Sequence, residues 1–212
     1  MGRDWHETDF SASPLMAWWK FDGNANDSSG NGRNGTVFGD PIWATGDGKI
    51  GDALNFDGEN DYVNIDGYKG VVGGRPLTIT AWIRARDDGA IVGWGGEVGE
   101  DGIRVEFRVN DSRLRAECGG GNVQAETIVA DSQWHHAAVT VIRNATASYP
   151  DVIIYLDGVD NTIYSTDTAV FNASAVYDVQ IGQRYDDSGS RWFTGDIDDL
   201  RIYDKVLSQA EI

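Results

Sequence analysis

Oxygen-bearing side chains gather at two distant places in this chain, and coordination of a hard cation is the chemistry they suit. The first is Asp22-Gly-Asn24-Ala-Asn26-Asp27-Ser28-Ser29, with no basic residue between Asp22 and Gly32. The second is Gly195-Asp196-Ile197-Asp198-Asp199-Leu200-Arg201-Ile202-Tyr203. There Leu200 and Ile202 alternate with Arg201 and Tyr203, as in a strand with one buried face. Counting back two from Leu200 predicts Asp198 on that same buried side. An ionised carboxylate turned inward needs a partner, because an unpaired buried charge is costly. A cation shared by both segments would supply one. Ca²⁺ accepts six to eight oxygens in flexible geometry, whereas Mg²⁺ demands an octahedron and keeps its waters. Asp22, Asn24, Asp27 and Asp198 are the predicted ligands, with Asp199 as an alternative to Asp198. The early loop is not an EF-hand: Asp27 occupies the sixth position, where that loop needs glycine, and Arg33 the twelfth, where it needs glutamate. The competing explanation is that Asp22 and Asp27 organise Asx turns. On the inward-facing assignment, Asp198→Ala should destabilise more than Asp196→Ala.

Aromatic residues offer a second chemistry. Trp94 precedes Gly95-Gly96, and Trp192 follows the segment Arg184-Tyr185-Asp186-Asp187-Ser-Gly-Ser-Arg191. A ring face for stacking beside groups that hydrogen-bond hydroxyls is what a sugar platform requires. Trp94, Arg184, Tyr185, Asp186 and Trp192 are therefore the predicted ligand contacts. Packing of a long loop onto a sheet is the alternative. Trp82 and Trp134 are expected in the core, while the consecutive Trp18 and Trp19 must face opposite ways. His135 and His136 do not make a zinc site, since His6 and Cys118 are the remaining nitrogen or sulfur ligands and lie at unsuitable spacing.

The elements that must position these groups are strands. Gly is plentiful at 27, Pro scarce at 4, and aromatics reach 11%. Alternating runs occur at 16–21, 53–56, 62–65, 77–84, 91–94, 103–109, 123–129, 134–142, 152–156, 179–181 and 197–203, divided by turns such as DGEND, DDG, EDG and LDGVD. Asp57-Gly-Glu59-Asn60-Asp61, again alternating acids, reads as a hairpin connection, with a second cation site as the alternative. Leu207–Ile212 reads as a short helix, with Ser208 and Glu211 at capping-box spacing. So many short strands cannot share one flat sheet comfortably, so two packed antiparallel sheets in one domain are expected. The calcium reading further requires the first and last strands to be neighbours.

At 212 residues the chain can bury a sizeable core without disulfides, and its single cysteine, Cys118, is expected to be buried and inert. A formal charge of −17 argues against nucleic acid and anionic membrane partners, which need basic patches. No apolar run approaches a membrane span. Residues 1–14 show no signal-peptide pattern and read as a leader or linker before a domain at 15–212, a module of some longer protein.

Read in order, Trp19-Lys-Phe-Asp-Gly, Asp27-Ser-Ser-Gly-Asn-Gly, Gly48-Lys-Ile-Gly-Asp-Ala-Leu-Asn-Phe-Asp-Gly, Asp61-Tyr-Val, Leu77-Thr-Ile-Thr-Ala-Trp-Ile, Trp134-His-His, Tyr155-Leu-Asp-Gly and the segment from Gly195 to Tyr203 resemble the laminin G-like, concanavalin A-like jelly-roll domains. The resemblance runs from about Trp18 to Ile212. It implies an all-β sandwich of two curved antiparallel sheets, often with structural calcium, serving as a carbohydrate-binding or adhesion module of a large secreted protein. Some jelly-roll sandwiches hydrolyse glucans with Glu-x-Asp-x-x-Glu on one strand. That motif is missing here: glycines break up Glu97, Glu100 and Asp101, and Glu106 shares its face only with Arg104 and Arg108 along its own strand. The reading is a secreted or cell-surface, non-catalytic, calcium-stabilised module for a polysaccharide or glycoconjugate. A protein ligand is the alternative, and a glycoside hydrolase the weakest.

Overall fold

The structure is a computed structural model that describes residues 14–96, 104–163, 165–184 and 191–212. Its described strands form two large antiparallel sheets. The first has β1 (Leu15–Trp19), β3 (Ile42–Ala44), β4 (Ala53–Asp57), β6 (Leu77–Ala85), β11 (His135–Val141), β13 (Val152–Leu156), β14 (Val159–Asp160) and β17 (Thr194–Tyr203). The second has β2 (Thr36–Phe38), β5 (Tyr62–Ile65), β7 (Gly89–Gly95), β8 (Val105–Asn110), β9 (Arg113–Cys118), β10 (Gly121–Ile128) and β16 (Tyr177–Ile181). A small pair, β12 (Thr146–Ser148) and β15 (Thr166–Val170), completes the set. The predicted two-sheet sandwich is therefore the fold.

Alternation explains why the sheets pack. Val63 and Ile65, Val105, Phe107 and Val109, Leu114, Ala116 and Cys118, and Val179 and Ile181 send one face of the second sheet inward. Trp19, Leu54, Phe56, Ile79, Ile83, Ile197, Leu200 and Ile202 meet them from the first. Cys118 is fully buried, and burial pushes its thiol up to about 12, so it is inert as expected.

β1 and β17 are antiparallel neighbours, with Trp19 opposite Leu200. This is the adjacency of the first and last strands that a shared ion would need. The consecutive tryptophans divide as expected, Trp19 fully buried and Trp18 half-buried.

Four expectations are corrected. Leu207–Ile212 is a hydrogen-bonded turn, not a helix: the Ser208 amide and hydroxyl both donate to Glu211 Oε2, but Glu211 and Ile212 amides return only to Ser208. The 57–61 turn is no hairpin, because it joins β4 of one sheet to β5 of the other. Asp61 holds that crossing, accepting from the Asp40 and Asp57 amides at 2.8 and 3.0 Å. Trp82 and Trp134 are half-buried and capped by cations, Lys49 over Trp82 and Arg84 over Trp134. Finally, a bulge in β17 moves Asp198 off the Leu200 face. Asp198 pairs with Trp82 and Arg201 with Thr80, so one extra residue stands on β17, and Asp199 takes a left-handed φ of 52°. Asp198 thus lies on the Trp82 side of the sheet, away from the inter-sheet core.

Candidate functional site

Asp198 is nevertheless fully buried. The segment carrying Lys49 and Ile50 covers it, and the Ile50 amide donates to its Oδ2 at 2.8 Å. Its Oδ1 is buried with no hydrogen-bond partner. Burial, with the charges of Asp199 and Asp22, lifts its carboxyl to about 6 against the pull of the Ile50 and Lys49 amides. Asp22, Asp198 and Asp199 line one cleft of about 230 Å³ with Trp18, Lys20, Ile50 and Arg201. Asp22 Oδ1 accepts from the Asp52 amide at 3.0 Å.

The other predicted metal ligands are spent on turns. Asn24 Oδ1 accepts from the Asn26 amide at 2.9 Å, an Asx turn. Asp27 Oδ1 accepts from the Trp18 and Ser29 amides, and Oδ2 from the Arg33 amide and Ser29 hydroxyl, at 2.8–3.1 Å. Partial burial opposes ionisation there, but those donors, Arg33 first, hold the carboxyl below its ordinary range. Asp199 receives the Trp18 indole N–H and pairs with Arg201 at 2.8 Å. No group of three or more His, Cys, Asp or Glu among the described residues is gathered to hold an ion unaided. Asp196 is buried too, but fully matched: Asn55 donates at 2.7 Å, and Arg84 and Arg86 lie at 2.9 and 3.3 Å. Asp196 is thus the better partnered of the two buried carboxylates.

A different constellation covers the outer face of the second sheet. β8 and β9 run side by side, with Glu106 opposite Glu117 and Arg108 opposite Arg115. Because the inward positions of both strands are apolar, every second residue, Arg104, Glu106, Arg108, Arg115 and Glu117, faces outward. Gly93 of β7 stands across from Glu106 and adds no side chain. Glu117 accepts from Arg104 at 2.8 Å, with Arg108, Arg115 and Arg191 at 3.4–3.5 Å. Arg104, Arg191 and Arg184 approach Glu106 at 3.4, 3.7 and 3.8 Å. Glu106 is only 1% exposed and neither of its oxygens is hydrogen-bonded. Burial first, then the Glu117 charge, lifts its carboxyl to about 7 although Arg104, Arg191 and Arg184 pull it down.

At one side of this floor opens a cleft of about 410 Å³, bounded by Trp192, Arg191, Arg108, Asn110, Asp87 and Asp88. Trp192 continues into an aromatic strip on the same face. Its ring lies 5.9 Å from that of Tyr62, which stacks on Phe38 at 4.6 Å, and Phe38 is 40% exposed. Trp192 is half-buried and lines the cleft.

The predicted sugar contacts thus separate. Trp192 and Arg184 lie on this face. Trp94 is 3% exposed, its indole donating to the Val71 carbonyl at 3.2 Å, and it lines a narrow crevice with Tyr177, Arg104 and Arg184. It packs the core because its alternation partner Val92 also points inward. Tyr185 and Asp186 lie outside the described residues. The Arg–Glu floor itself was missed, although charges at every second position of 104–108 and 113–117 are its signal.

No curated protein matches this chain. Among solved structures it is similar to domain 4 of AbnA, a GH43 extracellular arabinanase from Geobacillus stearothermophilus in complex with arabinotriose, at 22% identity and a TM-score of 0.70, covering 93% of this chain and 95% of that one. The binding domain of Paraclostridial Mosquitocidal Protein 1 follows at 14% identity and TM-score 0.66, covering 93% of this chain and 50% of that one. The binding domain of botulinum neurotoxin DC, in complex with rat synaptotagmin II, gives 14% identity and TM-score 0.61 over 93% of this chain and 50% of that one. This chain therefore spans about half of the toxin binding domains and nearly all of the arabinanase domain. At such identities the likeness is one of fold. Residues 57–212 match the family described as Laminin_G_3, and the chain accordingly belongs to the concanavalin A-like lectin/glucanases superfamily.

Proposed function

We propose that this domain is a non-catalytic carbohydrate-binding module of a secreted or cell-surface protein, and that its sugar lies against the outer face of the second sheet. The observation that carries the reading is the cleft beside Trp192. It joins an aromatic ring to Arg108, Arg191, Asn110 and two aspartates in a volume of about 410 Å³, within the range of small-ligand sites. A pyranose or furanose offers an apolar C–H face to such a ring and hydroxyls to such polar groups. The fold shared with an arabinanase domain that binds arabinotriose supports the same class of partner. A protein ligand is the second reading, favoured by the likeness to a toxin binding domain that engages synaptotagmin.

Calcium belongs to the proposal as a structural ion. Asp198 with its orphaned, buried Oδ1 and Asp22 on the same cleft fit such an ion, whereas Asn24 and Asp27 do not. When bound, calcium would neutralise Asp198 and tie the loop after β1 to the segment over β17. Backbone carbonyls and water would complete its shell.

The test is a glycan array probed with the domain in calcium and in chelator, followed by Trp192→Ala. Retention of glycans by the parent, lost in a variant with unchanged circular dichroism and melting, is expected. Undiminished retention would clear Trp192 of any binding role, and a blank array would remove the carbohydrate reading.

A further inference from the structure

The chain is strongly acidic overall, with 34 Asp plus Glu against 17 Lys plus Arg, yet the floor beside the Trp192 cleft is basic. Four described arginines, 104, 108, 115 and 191, surround two carboxylates, Glu106 and Glu117, with Arg184 at the margin. Like charges packed in a low-dielectric setting repel unless a counter-ion is supplied. The other nearby described acids sit at the margins of this floor and are bonded locally. Asp88 accepts from the Asp111 and Ser112 amides, Asp87 from the Asp88 amide, and Asp178 pairs with Lys69 at 2.9 Å. Arg113 adds a further positive group at the β9 end, its Nε donating to the Glu126 carbonyl.

Nor is the network arranged as a purely structural one. Its contacts to Glu106 stand at 3.4–3.8 Å, outside good hydrogen-bond range, and both Glu106 oxygens are left without a donor. A buried ion cluster kept for stability alone needs saturated geometry to offset desolvation. Arg191, with a side chain 35% exposed, and Arg108 both reach the Trp192 cleft, so the basic floor and the stacking ring share one opening.

We propose that this floor receives the anionic group of an acidic saccharide, a uronate carboxylate or a sulfate ester, while a neighbouring sugar ring stacks on Trp192. The inference rests on the carbohydrate-binding reading and names the class of sugar. An arginine fork matches either anion bidentately, which a neutral hydroxyl cannot exploit.

The experiment is isothermal titration of the whole domain with trigalacturonate, a sulfated galactotriose and neutral galactotriose at low and high salt, beside an array of acidic and neutral glycans. An acidic ligand is expected to bind at least tenfold more tightly than its neutral counterpart and to weaken as salt rises. Arg191→Gln should cost about tenfold more for the acidic ligand than for the neutral one. Glu106→Gln, which removes a competing anion, should tighten acidic binding, an effect that a merely structural role would not produce. The arm that binds identifies carboxylate or sulfate as the group recognised. Neutral glycans bound as well as or better than acidic ones, with Arg191→Gln and salt without effect, would overturn this inference and leave the carbohydrate reading standing. An array with no glycan retained would end both.

Discussion

Replacing Glu106 by glutamine should stabilise the domain at neutral and alkaline pH while changing little in acid. The carboxyl lies under the arginines, 1% exposed and without hydrogen bonds, and its pKa is raised from the ordinary 4.5 to about 7. Below pH 4.5 it is protonated in the folded and unfolded chains alike and contributes nothing. Between 4.5 and 7 the unfolded chain releases a proton that the folded one keeps, so stability falls as pH rises. Above about 7 the penalty is complete. At 1.36 kcal/mol per pH unit, the full penalty is about 3 kcal/mol, and about 2–3 kcal/mol of it develops between pH 5 and pH 8. Glutamine keeps the shape and cannot ionise. Urea unfolding of both proteins at the two pH values isolates the titration, because every other group cancels in the difference. The wild type should lose about 2–3 kcal/mol relative to the variant on going from pH 5 to pH 8, or roughly 4–12 °C in Tm for a domain of this size. An equal difference at the two pH values would refute the claim that burial outweighs the arginines at Glu106.

Three further outcomes follow from the other sheet and the early loop. Asp196→Ala should cost about 2–3 kcal/mol, since Arg86 loses its carboxylate partner and the Asn55 amide its acceptor, while Arg84 keeps Asp47 at 2.7 Å; chemical denaturation in chelator measures it. In chelator Asp198→Asn should stabilise the domain by about 2–3 kcal/mol at neutral pH and change little below about pH 4, because burial raises the folded carboxyl from 3.8 to about 6 while an amide oxygen still accepts the Ile50 N–H. In millimolar calcium the wild type should melt higher than in chelator while Asp198→Asn gains nothing, by the mass action of a ligand on the folded state; equal wild-type melting temperatures would remove the ion from the account. Asp27→Ala should cost about 2–3 kcal/mol with or without calcium, since four donors lose their acceptor, and a loss confined to calcium-containing buffer would make Asp27 a ligand after all.

Where one residue decides burial, the alternation was readable. Val63, Phe107, Val179 and Ile197 fall inward as their patterns require, and the first and last strands pair. Asp198 shows the limit of that logic. Its burial was foreseen, but the left-handed Asp199 inserts a residue and reverses the parity, so the shelter comes from the segment around Ile50. Such a bulge leaves little trace in the side-chain pattern. β2 and β3 are three-residue strands, too short for alternation to register. β9 was overlooked because its inward Ala116 and Cys118 are small. With it went the Arg–Glu floor, whose charges sit opposite one another only once β8 and β9 are in register. The net charge of −17 also concealed a basic surface, since a whole-chain sum carries no information about where charges gather. Trp192 was legible as a strand-end aromatic beside arginine, whereas Trp94, two residues along from Val92 on the same inward face, fills the core.

The proposed docking of a saccharide at Trp192, on the outer face of the second sheet, should be visible in the tryptophan indoles. Two-dimensional NMR of the eight tryptophan indole N–H groups, recorded while a glycan retained on the array is titrated in, tests it directly. The Trp192 indole should shift with saturation while Trp18, Trp82 and Trp134 on the opposite sheet stay in place. Shifts confined to those three, with Trp192 unmoved, would contradict the account.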